Sequence, residues 1–290
     1  SQMVHEMQSA GIFAFDVETD GRDPVGQHLV GISFSGSPGK AYYIPVGHSE
    51  GTQLALRHVI REVKLLLEDP ELAKIGHNAN FDMTVLRNYD VYTQNVTFDT
   101  MIAAQLIGHN TLGLKPLAFQ LLNQDMSPIQ TLIGAGKKQI TMAQVPIPIA
   151  TSYAAADADM TGRLYRIFKD QLPSKGVEYV FSQVEMPLVP VIVQMQMNGI
   201  LLKTDQLSEM SERLGKRIRC LAEDIHSVAG KVFNVNSPKQ LGAVLFEDLL
   251  PASRLKELRL PRPRRTTTGY STDATILEEL RGAHPIVAKV

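Results

Sequence analysis

The sequence predicts an α/β domain built around a mixed central sheet, followed by a mainly α-helical region. Three observations carry that prediction. Short β-rich runs come first, runs with helical spacing then interleave with them, and strand signals nearly vanish beyond Pro173-Ser174-Lys175-Gly176. In chain order, Ile12–Val17 is a short apolar run ending in acids. Leu29–Ser35 and Ala41–Val46 are β-rich runs joined by the turn Ser37-Pro38-Gly39. Gln53–Leu67 carries Leu54, Leu56, Val59, Ile60, Val63 and Leu67 at helical spacing. Leu72–Ile75 reads as a strand. Phe81–Arg87, Asp99–Ile107, Leu114–Leu122 and Ala150–Asp170 read as helices.

The second region, 173–290, reads as helices and loops. Val177–Met197 is helical, with Pro187 and Pro190 expected to kink it. Asp205–Ala229 is long and amphipathic. Its stripe Leu207, Met210, Leu214, Ile218, Leu221, Ile225 and Val228 predicts a packing seam between paired helices. Ser237 is placed to cap a helix whose first position is Pro238, and Ser271-Thr272-Asp273 starts another.

The chain has 290 residues, with 44% hydrophobic and 20% charged, an ordinary globular composition for two domains. A single cysteine, Cys220, excludes an internal disulfide framework and a cysteine-rich zinc site. No run is long and apolar enough to predict a membrane span, and no leader is expected. Ser1 and Val290 read as cuts in something longer. The formal net charge of −1 conceals a division. Residues 1–172 hold 13 basic and 17 acidic side chains, and residues 173–290 hold 16 and 13.

The acids of the first half fall in a chemical pattern. Asp16 and Glu18 lie two apart at a strand end, so both carboxylates share one face. Asp82 follows a strand end at Gly76-His77-Asn78-Ala79-Asn80-Phe81 and enters a helix. Tyr153 and Asp157 stand four apart near a helix start, on one face, separated by three alanines. Singly, each has a plain structural reading: a solvated edge, a favourable first-turn charge, a helix packed closely on the sheet. Together, four acids and a tyrosine suit a hard-cation site of oxygen ligands, for Mg²⁺ or Mn²⁺. Two such ions serve phosphodiester hydrolysis. Asp99, Asp159, His77 and His109 read as structural.

Asp16-x-Glu18, Asn78-x-x-Phe81-Asp82 and Tyr153-x-x-x-Asp157 resemble, in this order, the three motifs of the DEDD proofreading exonucleases, and Tyr153 marks the tyrosine branch. Beyond these, the whole chain resembles the bacterial family A DNA polymerases. Phe13–Asp20 is similar to their first exonuclease motif, Glu185–Pro190 to the entry of their polymerase domain, and Phe233–Leu241 to a DNA-contacting thumb segment. The resemblance implies an RNase H-like 3′–5′ exonuclease domain over residues 1–172. It implies the thumb portion of a polymerase domain over 173–290, which stops before the palm and fingers. Asp16, Glu18 and Asp157 would then hold the tighter of two divalent ions, with Asp82 reaching the second through water and Tyr153 orienting the attacking water. Thr19, Asn78 and Phe81 would hold the terminal nucleotides, Lys137 a phosphate, and Arg22 stands where the family places an apolar wedge. Asn234, Asn236, Ser237, Lys239, Arg262, Arg264 and Arg265 would grip duplex DNA. The implied partners are a single-stranded DNA 3′ end, a DNA duplex and the missing palm and fingers, with no membrane, in a bacterial cytoplasm near the nucleoid. Three alternatives stand beside this: an RNA-trimming exonuclease of the same branch, a DNA-binding fragment with a vestigial site, and a subunit of a split polymerase.

Overall fold

A computed structural model describes residues 1–261, 263–266 and 269–290. It divides into two compact units, Ser1–Ile200 and Leu201–Val290. In the first, β1 (Ile12–Thr19), β2 (Leu29–Ser37), β3 (Lys40–Pro45), β4 (Ala73–Gly76) and β5 (Val96–Asp99) form one sheet in the order β3-β2-β1-β4-β5. β1–β2 and β2–β3 are antiparallel, and β1–β4 and β4–β5 are parallel, so the sheet is mixed as expected. The helices are α1 (Gln2–Ala10), α2 (Leu56–Leu67), α3 (Ala79–Arg87), α4 (Thr100–Ile107), α5 (Leu114–Leu122), α6 (Ile129–Ile133) and α7 (Ile147–Ser174). α1 and β5 escape the sequence reading. β5 has only four residues, two of them polar, and carries no alternation long enough to register.

Alternation along β1 sorts its side chains. Phe13, Phe15 and Val17 enter the core from one face, while Ala14, Asp16 and Glu18 share the other. α7 lies across that second face. Ala150, Ala154 and Ala158 are fully buried, and with Gly162 they form a row of small residues at a spacing of four. A Cβ on Gly162 would touch Ala14 Cβ at 3.6 Å, which measures how closely helix and strand approach. Small side chains therefore set the depth of the helix, and Tyr153 and Asp157 flank the row.

The first unit extends past the expected boundary at 172/173. After α8 (Glu178–Val180) and a π-helical turn at Phe181–Glu185, α9 (Met186–Asn198) returns to pack on α3. Gln196 Oε1 accepts from Thr84 Oγ1 at 2.8 Å and Gln194 Oε1 from Arg87 Nη2 at 2.8 Å. Met186, Val189 and Val193 join the sheet's core, so apolar burial continues the compact unit beyond the Pro-Ser-Lys-Gly turn.

The second unit contains α10 (Thr204–Ala229), α11 (Pro238–Ala243), α12 (Ala252–Glu257), a hairpin of β6 (Arg265–Thr266) and β7 (Gly269–Tyr270), and α13 (Ala274–Glu279). Its core gathers Ile225, Leu241, Leu245, Phe246, Leu250, Leu255, Leu280 and Ile286. The paired seam expected along α10 is not found among the described residues. Ile225 is buried, but Leu207, Met210, Leu214 and Val228 are exposed and Ile218 is 63% exposed. Heptad-like spacing marks a face able to pack, whereas burial needs a facing helix that these residues do not meet.

Candidate metal and nucleotide site

Asp16, Glu18 and Asp157 place one carboxylate oxygen each within 4.8 Å of one another, across the interface of β1 and α7. Period two puts the first pair on the strand face, and the small-residue row brings the helix down to meet them. Asp82 enters from α3. Its Oδ1 accepts the N–H of Val17, the residue between Asp16 and Glu18, at 2.9 Å. Tyr153 stands one turn before Asp157 on α7. The structure thus brings the five chemistry-bearing residues of the three motifs to one region of the sheet.

The approach of α3 depends on two backbone features. A Cβ on Gly76 would lie 2.6 Å from Ala79 Cβ, so the turn from β4 needs glycine there. Asn78 has φ +66°, a left-handed conformation that asparagine tolerates better than most residues. Asp99 holds this turn. Its oxygens accept N–H bonds from Asn78 at 3.2 Å, Ala79 at 2.7 Å, Met101 at 2.8 Å and Ile102 at 3.2 Å. Its expected role as a helix start is correct for α4, and the same carboxylate also anchors α3.

Burial raises the proton affinity of all four carboxylates, and at Asp16, Glu18 and Asp82 the neighbouring acids add to it. Asp16 is held well above the usual carboxylate range, first by burial and then by Asp82, Glu18 and Asp157. Glu18 is pushed up to about 8 by burial and by Asp157. Burial raises Asp82, against the Val17 N–H, and raises Asp157, against Lys115. Such a set is unfavourable as bare anions and favourable around a cation. The donors are all oxygen, the ligand type for hard divalent ions, so the residues fit the expected metal. Burial, then Asp157 and Glu18, push the Tyr153 phenol upward, so it stays protonated at neutral pH.

Lys115, at the start of α5, is a site residue that sequence reasoning missed. Its Nζ lies 3.0 Å from Asp157 Oδ1 and 4.0 Å from the centre of the Tyr153 ring. Its charge opposes the rise at Asp16, Glu18 and Asp157. No local signal distinguishes Gly113-Leu114-Lys115-Pro116 from an ordinary helix start; only the fold brings it to the acids. With Tyr153 and Asp157 it lines a cavity of about 500 Å³.

The expected nucleotide contacts fall in separate places. Thr19 and Arg22 line a cavity of about 420 Å³ with Ile129, Ile133, Gln139 and Met142. Thr19 Oγ1 donates to Gly21 O at 2.8 Å. Asn78 and Phe81 sit at the start of α3. Lys137 is exposed on a short 3₁₀ turn, Gly136–Lys138, beside the second cavity. Asp159 accepts from Gly39 N and pairs with Arg163, and His77 bonds Thr100, both as structural residues.

In the second unit Ser237 caps α11, accepting from Gln240 N at 3.4 Å. Asn234 Oδ1 accepts from Asn236 N at 3.0 Å, which shapes the same turn. Lys239 and Arg264 are exposed. The Arg265 guanidinium lies 5.1 Å from the Tyr270 ring centre. Arg262 lies outside the described residues.

Comparison with known proteins gives a consistent result. Residues 1–173 match a family described as 3′-5′ exonuclease, and residues 204–290 match DNA polymerase family A. DNA polymerase I of Chloroflexus aurantiacus is 39% identical over 293 residues, covering 100% of this chain and 31% of that protein. DNA polymerase I of Treponema pallidum is 33% identical, covering 97% of this chain and 31% of its own length. The chain therefore spans about a third of these relatives. Among solved structures, the POL domain of Pol1 from M. smegmatis, in complex with DNA primer-template and dNTP, superimposes with a TM-score of 0.69 at 23% identity. It covers 100% of this chain and 46% of that one. Brucella melitensis NrnC gives a TM-score of 0.51 at 24% identity, over 65% of this chain and 86% of its own. No helix among the described residues is long and apolar enough to cross a membrane.

Proposed function

The chain belongs to the family of 3′-5′ exonucleases, and on that premise we propose that its first unit removes 5′-mononucleotides from DNA 3′ ends by two-metal phosphodiester hydrolysis. The observation that carries this reading is the meeting of Asp16, Glu18 and Asp157 oxygens within 4.8 Å, with Asp82 Oδ1 bonded to the N–H of Val17, the residue between the first two in sequence. Asp16, Glu18 and Asp157 would hold one ion, and Asp16 would reach a second, with Asp82 serving it through water. Mg²⁺ or Mn²⁺, when bound, would supply activation of water and charge stabilisation at the leaving oxygen.

The side chains do the rest. Tyr153, a neutral phenol, orients the attacking water through Oη alongside Glu18, and does not abstract its proton. Lys115 sets one ammonium against both the Tyr153 ring and the Asp157 carboxylate. Thr19, Asn78 and Phe81 hold the terminal nucleotides, and Phe81 offers a stacking face worth ~1–3 kcal/mol per base. Arg22 and Lys137 meet the incoming strand as cations. In the second unit Asn234, Asn236, Ser237, Lys239, Arg264 and Arg265, with Arg262, grip duplex DNA. The polymerase relatives support a longer parent that extends DNA, for which a place near the nucleoid is part of the same proposal.

Asp16→Ala and Asp157→Ala test the reading. Each abolishes Mg²⁺-dependent digestion of a single-stranded DNA primer in a chain that still folds. Asp16→Ala leaves the thermal unfolding midpoint in place or raises it, since it removes a buried carboxylate repelled by Asp82, Glu18 and Asp157, whereas Asp157→Ala lowers it modestly by taking the partner of Lys115. Near-full digestion by either variant overturns the assignment. A matched RNA oligonucleotide, digested faster than DNA by the native chain, would replace DNA with RNA as the substrate.

A further inference from the structure

Tyr43 and His48 carry a motif that the three exonuclease segments do not use. Sheet register places it beside them. Asp16 pairs with Ser33 and Ser33 with Tyr43; one step along, Glu18 pairs with Gly31 and Gly31 with Pro45. Directly paired residues share a face, so Tyr43 stands on the carboxylate face of the sheet. Its ring does not stay in its own row. A Cβ on Gly31 would come within 2.3 Å of Tyr43 Cε2, Cζ and Oη, so the phenol tip fills the side-chain space next to Glu18. Only glycine at 31 admits it.

The hydroxyl has a fixed orientation. His48, buried, lies 2.9 Å through Nδ1 from Val145 O and 2.8 Å through Nε2 from Tyr43 Oη. A carbonyl only accepts, so Nδ1 carries the hydrogen, Nε2 accepts, and Tyr43 donates. The His48 backbone is itself clamped: Gln53 Oε1 accepts from His48 N at 3.0 Å and Gln53 Nε2 donates to His48 O at 2.7 Å. Ser49 N adds a bond to Ala143 O at 2.7 Å. Val145 immediately precedes Pro146, the cap of α7, the helix that carries Tyr153 and Asp157. Tyr43 and Tyr153 also pack on the same small apolar cluster of Val30, Met142, Val145 and Ala150.

One end of this chain of bonds therefore rests against Glu18, and the other holds the entrance to α7. We propose that Tyr43 and His48 are positioning residues, a strut that sets the separation between Asp16 and Glu18 on the strand and Asp157 on the helix. The inference rests on the metal-dependent nuclease reading, because that separation is the width of the ion site. The strut touches neither substrate nor reacting atoms. It acts through the carboxylates it spaces.

Tyr43→Phe removes one hydroxyl and keeps the ring. Calorimetric titration of the full chain with Mn²⁺ reads the site without turnover, and digestion of a single-stranded DNA oligonucleotide reads kcat and KM. Tyr43→Phe is expected to weaken binding at the tighter site about 10-fold and to lower kcat by a similar factor, with KM changed by no more than about twofold. In a His48→Leu background the same substitution adds no more than about twofold, because the chain of bonds is already cut. Should His48→Leu not fold, the single variant still decides. Native Mn²⁺ affinity and kcat in Tyr43→Phe overturn the strut, as does a lowered melting midpoint with unchanged Mn²⁺ affinity. A native chain that neither binds Mn²⁺ nor digests DNA overturns the nuclease reading itself, and the strut with it.

Discussion

Asp99→Ala removes a carboxylate that accepts four backbone N–H groups, two at the start of α4 and two at the turn into α3. Loss of the α4 cap costs about 0.5–2 kcal/mol. The Ala79 N–H is buried, and stranding it adds about 1–3 kcal/mol. The total is about 2–5 kcal/mol. A 1 kcal/mol loss lowers the midpoint of a 150–250-residue domain by about 2–4 °C, so melting of the first unit falls by roughly 10 °C. Differential scanning calorimetry of the full chain measures this. The second consequence concerns chemistry: with the Asn78 turn released, α3 no longer holds Asp82 against Val17, and primer digestion falls even well below the new midpoint. Asp99→Asn is intermediate, because its amide presents a donor to one of the N–H groups. A midpoint within about 2 °C of native, together with native digestion, refutes the view that Asp99 holds both helix starts.

Two further outcomes follow from the electrostatics. Glu18 is protonated up to about pH 8 in the folded, metal-free chain, against an unfolded value of 4.5. The folded state therefore binds more protons over that window, and stability without metal falls as pH rises through it. Metal binding needs the deprotonated carboxylates, so Mn²⁺ affinity rises over the same window and protons are released, which calorimetry in buffers of different ionisation enthalpy detects. A metal-free midpoint that rises with pH, or Mn²⁺ binding without proton release, contradicts the buried-cluster picture. Lys115→Met removes the ammonium between Asp157 and Tyr153 and lowers kcat for primer digestion about 10–100-fold, with Lys115→Arg losing less; native kcat in Lys115→Met shows that the contact is incidental.

The three acidic segments were legible in the sequence because strand and helix periodicities decide which side chains share a face. Asp16 and Glu18 needed only period two, and Tyr153 and Asp157 only i,i+4. That the two pairs meet was not local information. It depends on the depth of α7 over β1, set by Ala154, Ala158 and Gly162, and on Asp82 bonding Val17, 65 residues away in sequence. Lys115 illustrates the limit: an unremarked lysine in a helix start reaches the acids only through tertiary packing. Turn composition marks a boundary at 172/173, where the exonuclease family match also ends, and the packing of α9 on α3 continues the compact unit to Ile200. The spacing along α10 marks an apolar stripe, but a stripe records what a helix is able to bury and not whether anything faces it, and the expected paired seam is absent among the described residues.

The row Ala150, Ala154, Ala158 and Gly162 limits how this chain can vary. None of the four offers a ligand atom, a proton or a polar contact through its side chain. Yet a bulky residue at the fully buried Ala154 or Ala158 would push α7 off the sheet, and Asp157 away from Asp16 and Glu18, before it altered anything chemical. At Gly162 a single methyl group would reach Ala14 Cβ at 3.6 Å, in ordinary contact, and anything longer would have to displace the strand or the helix. The activity is thus guarded by residues with no chemistry of their own, and variants there would keep every acid and the tyrosine while losing the geometry that makes them a site.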